Sequence, residues 1–170
     1  AISLFITKAP KVYDIKVESL ITAGTHNITN KIMFDDTFSS WLIYKDDFFE
    51  QVKNSLYLGI FNSYRDRQIT KKHTSVSNGK YRVLKSRNIA SNSIVDIDNY
   101  DSYIDDISSF GIRRFLNTKS VAVPNLTYNP RACFLPQNCI ADGSVAILQA
   151  KNGYIITEED LAYFASDEFR

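Results

Sequence analysis

The sequence predicts a mixed α+β fold: a single domain, residues 1–170, with a twisted, mostly antiparallel sheet and about three helices. Three observations carry that expectation. Short runs rich in β-branched and aliphatic residues recur along the whole chain. Helical periodicity with plausible end signals occurs in only three places. The uninterrupted apolar runs stay short, as in Val145-Ala146-Ile147-Leu148, far below the roughly 20 residues that a membrane-spanning helix needs.

Residues 2–7 (ISLFIT) and 12–22 hold aliphatic and β-branched residues without helix caps and are expected to be strands, as is 37–44 (TFSSWLIY). Asp46 then suits an N-cap, and Phe48, Phe49, Val52 and Leu56 fall on one face of a helix that should end before Gly59. Ser75, Ser77, Asn78 and Gly79 form a turn cluster leading into a strand over 80–86, with Tyr81, Val83 and Leu84. Residues 88–103 alternate Ile with Ser, Asn and Asp and read as strand plus loop. Residues 105–117 suit a short helix with Ile107, Phe110 and Leu116 inward, weakened by Gly111. Strands at 120–123 and 131–135 should pair, joined by 124–130. Asp142-Gly143 is a turn signal into the strand 144–150. Thr157-Glu158-Glu159-Asp160 has the form of a capping box, opening a helix with Leu161, Phe164 and Ala165 inward. No repeat, low-complexity tract or linker interrupts the pattern.

With 44% hydrophobic and 23% charged residues, the chain is too apolar to be a disordered tail. Lys8 and Lys11 follow the first apolar stretch rather than precede it, so no signal peptide is expected, and the localisation is read as cytoplasmic. Met33 is the only methionine and the chain starts at Ala1, which suggests the excised C-terminal part of something longer. Cys133 and Cys139 are read as small core residues, with a disulfide left open by their short separation. They and the distant His26 and His73 make no zinc-like spacing, so no metal site is expected. The abundance of Ile and Asn hints at an AT-rich genome and carries no chemistry.

The net charge of +1 hides a strong asymmetry. Residues 64–88 contain Arg65, Arg67, Lys71, Lys72, Lys80, Arg82, Lys85 and Arg87 against Asp66 alone, a window of +7, and the rest of the chain carries −6. Asp96, Asp98, Asp101, Asp105 and Asp106 follow directly. One focused positive segment points to an anion-binding face, and the bland alternative is a solvated loop neutralised by those carboxylates. Catalytic signatures are missing: the six glycines make neither a dinucleotide loop nor a phosphate-binding P-loop, and no GxSxG or HExxH occurs. The chain reads as a binder, with no catalytic residue expected.

Two segments suit DNA. In the basic window Arg65, Arg67, Lys71, Lys72, Lys85 and Arg87 would meet phosphates, and Arg, Asn88 and Gln side chains have the geometry for base edges. The second, 124–131 (PNLTYNPR), is stiffened by two prolines and presents Asn125, Thr127, Tyr128, Asn129 and Arg131. Its bland reading is an ordinary hairpin connection whose asparagines bond their own backbone.

Tyr81-Arg82-Val83-Leu84-Lys85-Ser86-Arg87-Asn88-Ile89 resembles the strand and Arg-Asn-Ile element that opens target recognition domains of restriction-modification systems. Val123-Pro124-Asn125-Leu126-Thr127-Tyr128-Asn129-Pro130-Arg131-Ala132 is followed by Ala141-Asp142-Gly143-Ser144-Val145-Ala146-Ile147-Leu148 and Thr157-Glu158-Glu159-Asp160-Leu161. Together these are similar to the C-terminal part of adenine-N6 DNA methyltransferases. The likeness covers roughly residues 80–170 and nothing upstream. It implies a mixed α/β target recognition domain that docks on double-stranded DNA and fixes which adenine a neighbouring catalytic domain extrudes. In that family the catalytic domain carries the S-adenosylmethionine site and an Asn-Pro-Pro-aromatic motif. Here Arg131 stands where the second proline would be and no aromatic follows, so no catalytic role passes to Asn129. S-adenosylmethionine would belong to the parent enzyme, in the same or a partner chain, and not to this piece.

Three other readings compete. Half of a Type I specificity subunit would usually bring long heptad helices, and none is visible. A small metal-dependent nuclease could use Asp14 and Glu18, but Lys16 lies between them in the wrong order. A protein-interaction module could dock an acidic partner on the basic segment.

Overall fold

Residues 14–19, 24–29, 47–57, 59–167 and 169 are described by the computed structural model, and they belong to two compact units, Ala1–Gly59 and Ile60–Arg170. The fold is mixed α+β, with mostly antiparallel sheets and, among the described residues, two α-helices and three short 3-10 helices. No described helix is long and apolar enough to cross a membrane.

In the first unit, β1 (Asp14–Ser19) and β2 (Gly24–Thr29) form an antiparallel hairpin, with Ile15 opposite Ile28 and Val17 opposite His26. β1 is the expected strand; β2 is an addition that the polar GTHNIT sequence did not announce. Helix α1 (Asp47–Ser55) is the one anticipated from Phe48, Phe49 and Val52. It ends at Ser55, before Gly59 as expected, and Gly59 lies in a turn at φ +69°, a left-handed conformation that glycine adopts freely. The strands expected at 2–7 and 37–44 and the cap Asp46 lie outside the described residues.

The second unit is built on two sheets. A four-stranded antiparallel sheet has the order β3 (Phe61–Tyr64), β11 (Val145–Ala150), β8 (Val121–Pro124), β9 (Cys133–Phe134). A three-stranded sheet places β4 (Tyr81–Leu84) between β10 (Cys139–Ala141), parallel to it, and β7 (Ser102–Ile104), antiparallel. β5 (Ile89–Ala90) and β6 (Ser93–Ile94) close a small hairpin.

The four-stranded sheet is covered on both faces, which explains why β11 is apolar almost throughout. Val145 and Ile147, with Ala122 and Cys133, join the main core of Val83, Leu84, Ile89, Ile112, Phe115 and Ile140. Val121, Leu148 and Ala150 pack instead with Ile156, Leu161 and Phe164 around helix α2 (Glu158–Tyr163). Each fully buried Ile or Leu contributes about 1.5–3 kcal/mol of transfer free energy. Thr157 caps α2 as expected, its Oγ1 accepting from Asp160 N while Asp160 accepts from Thr157 N at 2.7 Å. Burial opposes ionisation of Asp160, but bonds from Tyr154 and Thr157 outweigh it and hold the carboxyl below its ordinary range.

The expected helix over 105–117 does not form. A 3-10 helix, Gly111–Phe115, is all that appears there. Asp106 accepts from Ser108 N at 2.8 Å and Ser108 Oγ at 3.0 Å, a local alternative to helical bonding. Ile107 is buried as expected and Phe110 and Leu116 pack half-buried against the core, while Ile112 and Phe115, which were not expected to lead, fill it. The asparagines do have structural work: Asn92, Asn99, Asn117, Asn138 and Asn152 all adopt φ of +54° to +60° in turns, a region Asn tolerates. Both cysteines are free and buried; burial, then the neighbouring Cys139, pushes the Cys133 thiol up to about 12.

Candidate nucleic-acid interface

The chain leaving β3 alternates exposed and buried. Arg65 and Arg67 are exposed, and Asp66 between them is buried. Its carboxylate accepts from Gln68 N at 2.8 Å, Ile69 N at 3.0 Å and the Tyr64 hydroxyl at 3.1 Å. Asp66, the one acidic residue of the basic window, thus ties down its own turn. Burial, and then the bond to Asp66, raises the Tyr64 phenol above its ordinary value. Arg65 Nε donates to the Gly143 carbonyl. Gly143 is required there, because a Cβ would stand 2.6 Å from the Asp66 carbonyl oxygen.

Beyond β4 lies the 3-10 helix Ser86–Asn88. Ser86 N donates to Ser144 Oγ at 2.9 Å, and Ser144 in turn donates to Asp142 Oδ1 at 2.6 Å within the expected Asp142-Gly143 turn. Ser144 also accepts from Asn125 N through its carbonyl, at 2.9 Å. One turn therefore gathers Arg65, the 86–88 helix and the 125–131 loop at the same end of the four-stranded sheet, where β3 ends and β11 begins.

Within the 125–131 loop, Thr127 is the hub. Its hydroxyl donates to the Asn129 carbonyl at 2.9 Å and accepts from Asn129 N at 3.1 Å and Arg131 Nη1 at 2.9 Å. Arg131 also donates to the carbonyls of Ile89, Ser86 and Asn129. That engages most of a guanidinium's five donors. Arg131, expected among the residues the loop presents to DNA, is instead the pin that fastens the loop to the 86–89 segment. The Asn125 and Asn129 side chains are exposed and take no part in this bonding, so the loop holds its shape without them.

Asn88 is a second correction. It is fully buried; Oδ1 accepts from Lys85 N at 3.0 Å, and Nδ2 donates to Val95 O at 3.1 Å and Asp101 Oδ1 at 2.6 Å. A side chain so placed cannot reach a base edge. Asp101 also pairs with Arg82 at 2.7 Å, while Arg82 reaches Asp96 and Val95 O. The carboxylates after the window thus neutralise Arg82, as the bland reading had it, and Asn88 completes the network.

Lys85 is half-buried, donates to the Tyr100 carbonyl and stands 4.4 Å from the centre of the Tyr100 ring. Arg87 is exposed, 5.0 Å from the same ring. These two cations share one tyrosine and flank Ser86 in the chain, whose carbonyl accepts from Arg131 of the loop. Lys71 and Lys72 are exposed on the 3-10 helix Lys71–His73, whose His73 ring packs on Phe110 at 5.2 Å. No hydrogen bond, ion pair or ring contact among the described residues ties Arg67, Lys71 or Lys72 to the loop cluster. Tyr100 and Ser144 were missed by sequence reasoning; Ser144's place after Asp142-Gly143 marks a turn, but nothing local marks its partners.

The bonding therefore joins Arg65, Asn125, Thr127, Tyr128, Asn129 and Arg131 with the segment carrying Lys85 and Arg87, and among the described residues ties none of Arg67, Lys71 or Lys72 to them. No family model, no curated protein and no solved structure matches the chain.

Proposed function

We propose that this chain is the sequence-specific target recognition domain of a restriction-modification adenine-N6 DNA methyltransferase. In this reading it is non-catalytic, works in the cytoplasm, and positions double-stranded DNA for a catalytic domain that uses S-adenosylmethionine, in the same or a partner chain. One observation carries the reading: a loop with free Asn125 and Asn129 amides is held rigid beside Arg65, Lys85 and Arg87. Amides of that kind pair with adenine edges, and cations beside them meet phosphates. The resemblance of residues 80–170 to this family supports the same conclusion, as does the mixed, mostly antiparallel sheet structure.

The test is a titration of the full chain with random-sequence duplex DNA at two salt concentrations, followed by selection of preferred duplexes from the pool. Binding that falls steeply with salt, and an enriched site, are expected. Salt-independent binding, or selection that enriches nothing, overturns the reading. Cleavage in magnesium would move the assignment to a nuclease. Calorimetric titration with S-adenosylmethionine is expected to give no heat from the isolated chain.

A further inference from the structure

The largest apolar side chains left in solvent near the site are Leu126, 86% exposed, and Tyr128, completely exposed. They sit on either side of Thr127, the residue whose hydroxyl organises the loop. The loop is anchored at both ends, by Asn125 N on Ser144 O and by Arg131 on Ser86, Ile89 and Asn129 carbonyls. Its apolar tip is therefore held out from the sheet by bonds that do not involve either side chain. Rigid presentation of a bare leucine and a bare tyrosine favours insertion, because little ordering remains to be done on contact.

We propose that this tip is a wedge that enters the base stack of duplex DNA, Tyr128 lying on a base face and Leu126 against the neighbouring step. The inference rests on the DNA-binding reading and deepens it. What selects DNA over an apolar protein groove is the tip's surroundings. Free amides of Asn125 and Asn129 flank the two apolar residues, matching ligands that offer polar edges beside flat faces. Arg87 and Lys85, gathered on Tyr100, flank Ser86 in the chain, whose carbonyl is bonded by Arg131 of the loop, so the segment the loop is fastened to carries positive charge. Apolar side chains inserted between base steps unstack and bend the duplex, and stacking on an aromatic side chain tolerates any base.

The experiment uses the full chain and duplexes it selects from a random-sequence pool, resynthesised with the fluorescent adenine analogue 2-aminopurine. Wild-type binding should raise the analogue's fluorescence as its neighbours unstack. Tyr128→Ala and Leu126→Ala should lose that rise and weaken binding about ten- to a hundredfold. Tyr128→Phe should keep both, since the ring and not the hydroxyl makes the contact. All three variants should melt with the wild type, because both side chains are exposed. Undiminished binding by Tyr128→Ala, or wild-type binding without a fluorescence change, overturns the wedge and leaves the DNA reading standing. No duplex binding by wild type overturns that reading and the wedge with it. Self-association that Tyr128→Ala abolishes, with DNA binding unaffected, would assign the tip to a protein contact instead and overturn the wedge.

Discussion

The 125–131 loop and the Lys71–His73 helix both lie in segments expected to meet DNA, yet the molecule treats them differently. Both are polar segments singled out for DNA. The loop is bonded to the Ser86–Asn88 helix, to the Asp142–Ser144 turn and to itself, with Arg131 and Thr127 as internal ties. On the Lys71–His73 helix, His73 bonds Thr70 and packs on Phe110, while Lys71 and Lys72 stay in solvent. The difference separates two kinds of contact. A side chain that reads a base must be held to within a fraction of an ångström, whereas a lysine that meets a phosphate acts as a compact charge on a flexible stem. Under the proposed DNA-binding function, the wired loop suits the first task and the loose lysines the second.

Breaking the framework beneath the loop should have the largest effect. Asn88→Ala removes three hydrogen bonds from a fully buried residue and takes the partner from Asp101 Oδ1 and the Lys85 amide, while Arg82 keeps Asp101 Oδ2. A loss of about 3 kcal/mol in urea unfolding is expected. A variant as stable as wild type would return Asn88 to the surface and to base reading.

Arg131→Ala comes next. If Arg131 pins the loop, the substitution should cost about 2 kcal/mol of stability and erase discrimination between selected and random duplexes. Arg131→Lys should not restore either, because an ammonium lacks the planar fork that serves several carbonyls at once. A guanine-reading arginine would instead lose discrimination with its melting temperature unchanged.

Asn125→Ala and Asn129→Ala sharpen the contrast from the other side. Their side chains hold nothing in the loop, so stability should stay within about 0.5 kcal/mol. Affinity for the selected site should fall by about 1–2 kcal/mol and random-site affinity hardly at all. A drop in melting temperature with the affinity ratio intact would make them turn-formers only.

The smallest expected effect is at Lys71 and Lys72. Replacing both by Ala should leave folding and site preference alone and lower the slope of log affinity against log salt by about 2. Loss confined to one duplex sequence would mean that these lysines are held after all, and the contrast with the loop would fail.

Local signals in the sequence were enough for the elements that local chemistry makes. β-branched runs became β1, β8 and β11; Thr157 and Asp160 became a cap; Asp142-Gly143 became the turn into β11. Where a short polar side chain competed with the helix, at Asp106 and Ser108, the 3.6-residue pattern of 105–117 misled.

The sequence by itself determined the α+β character, the location of the positive window and the stiffness expected of a loop between two prolines. Tertiary structure alone decided which of those residues stay exposed and which are bonded into the framework. Ser86 lies far along the chain from Ser144, and Asn88 from Asp101, so no local pattern could show that these pairs bond or that Arg131 reaches Ile89. Arg and Asn have the same donors whether they bind a base or a buried carbonyl. Only burial and partner geometry, which arise when distant segments pack, distinguish a reader from a pin.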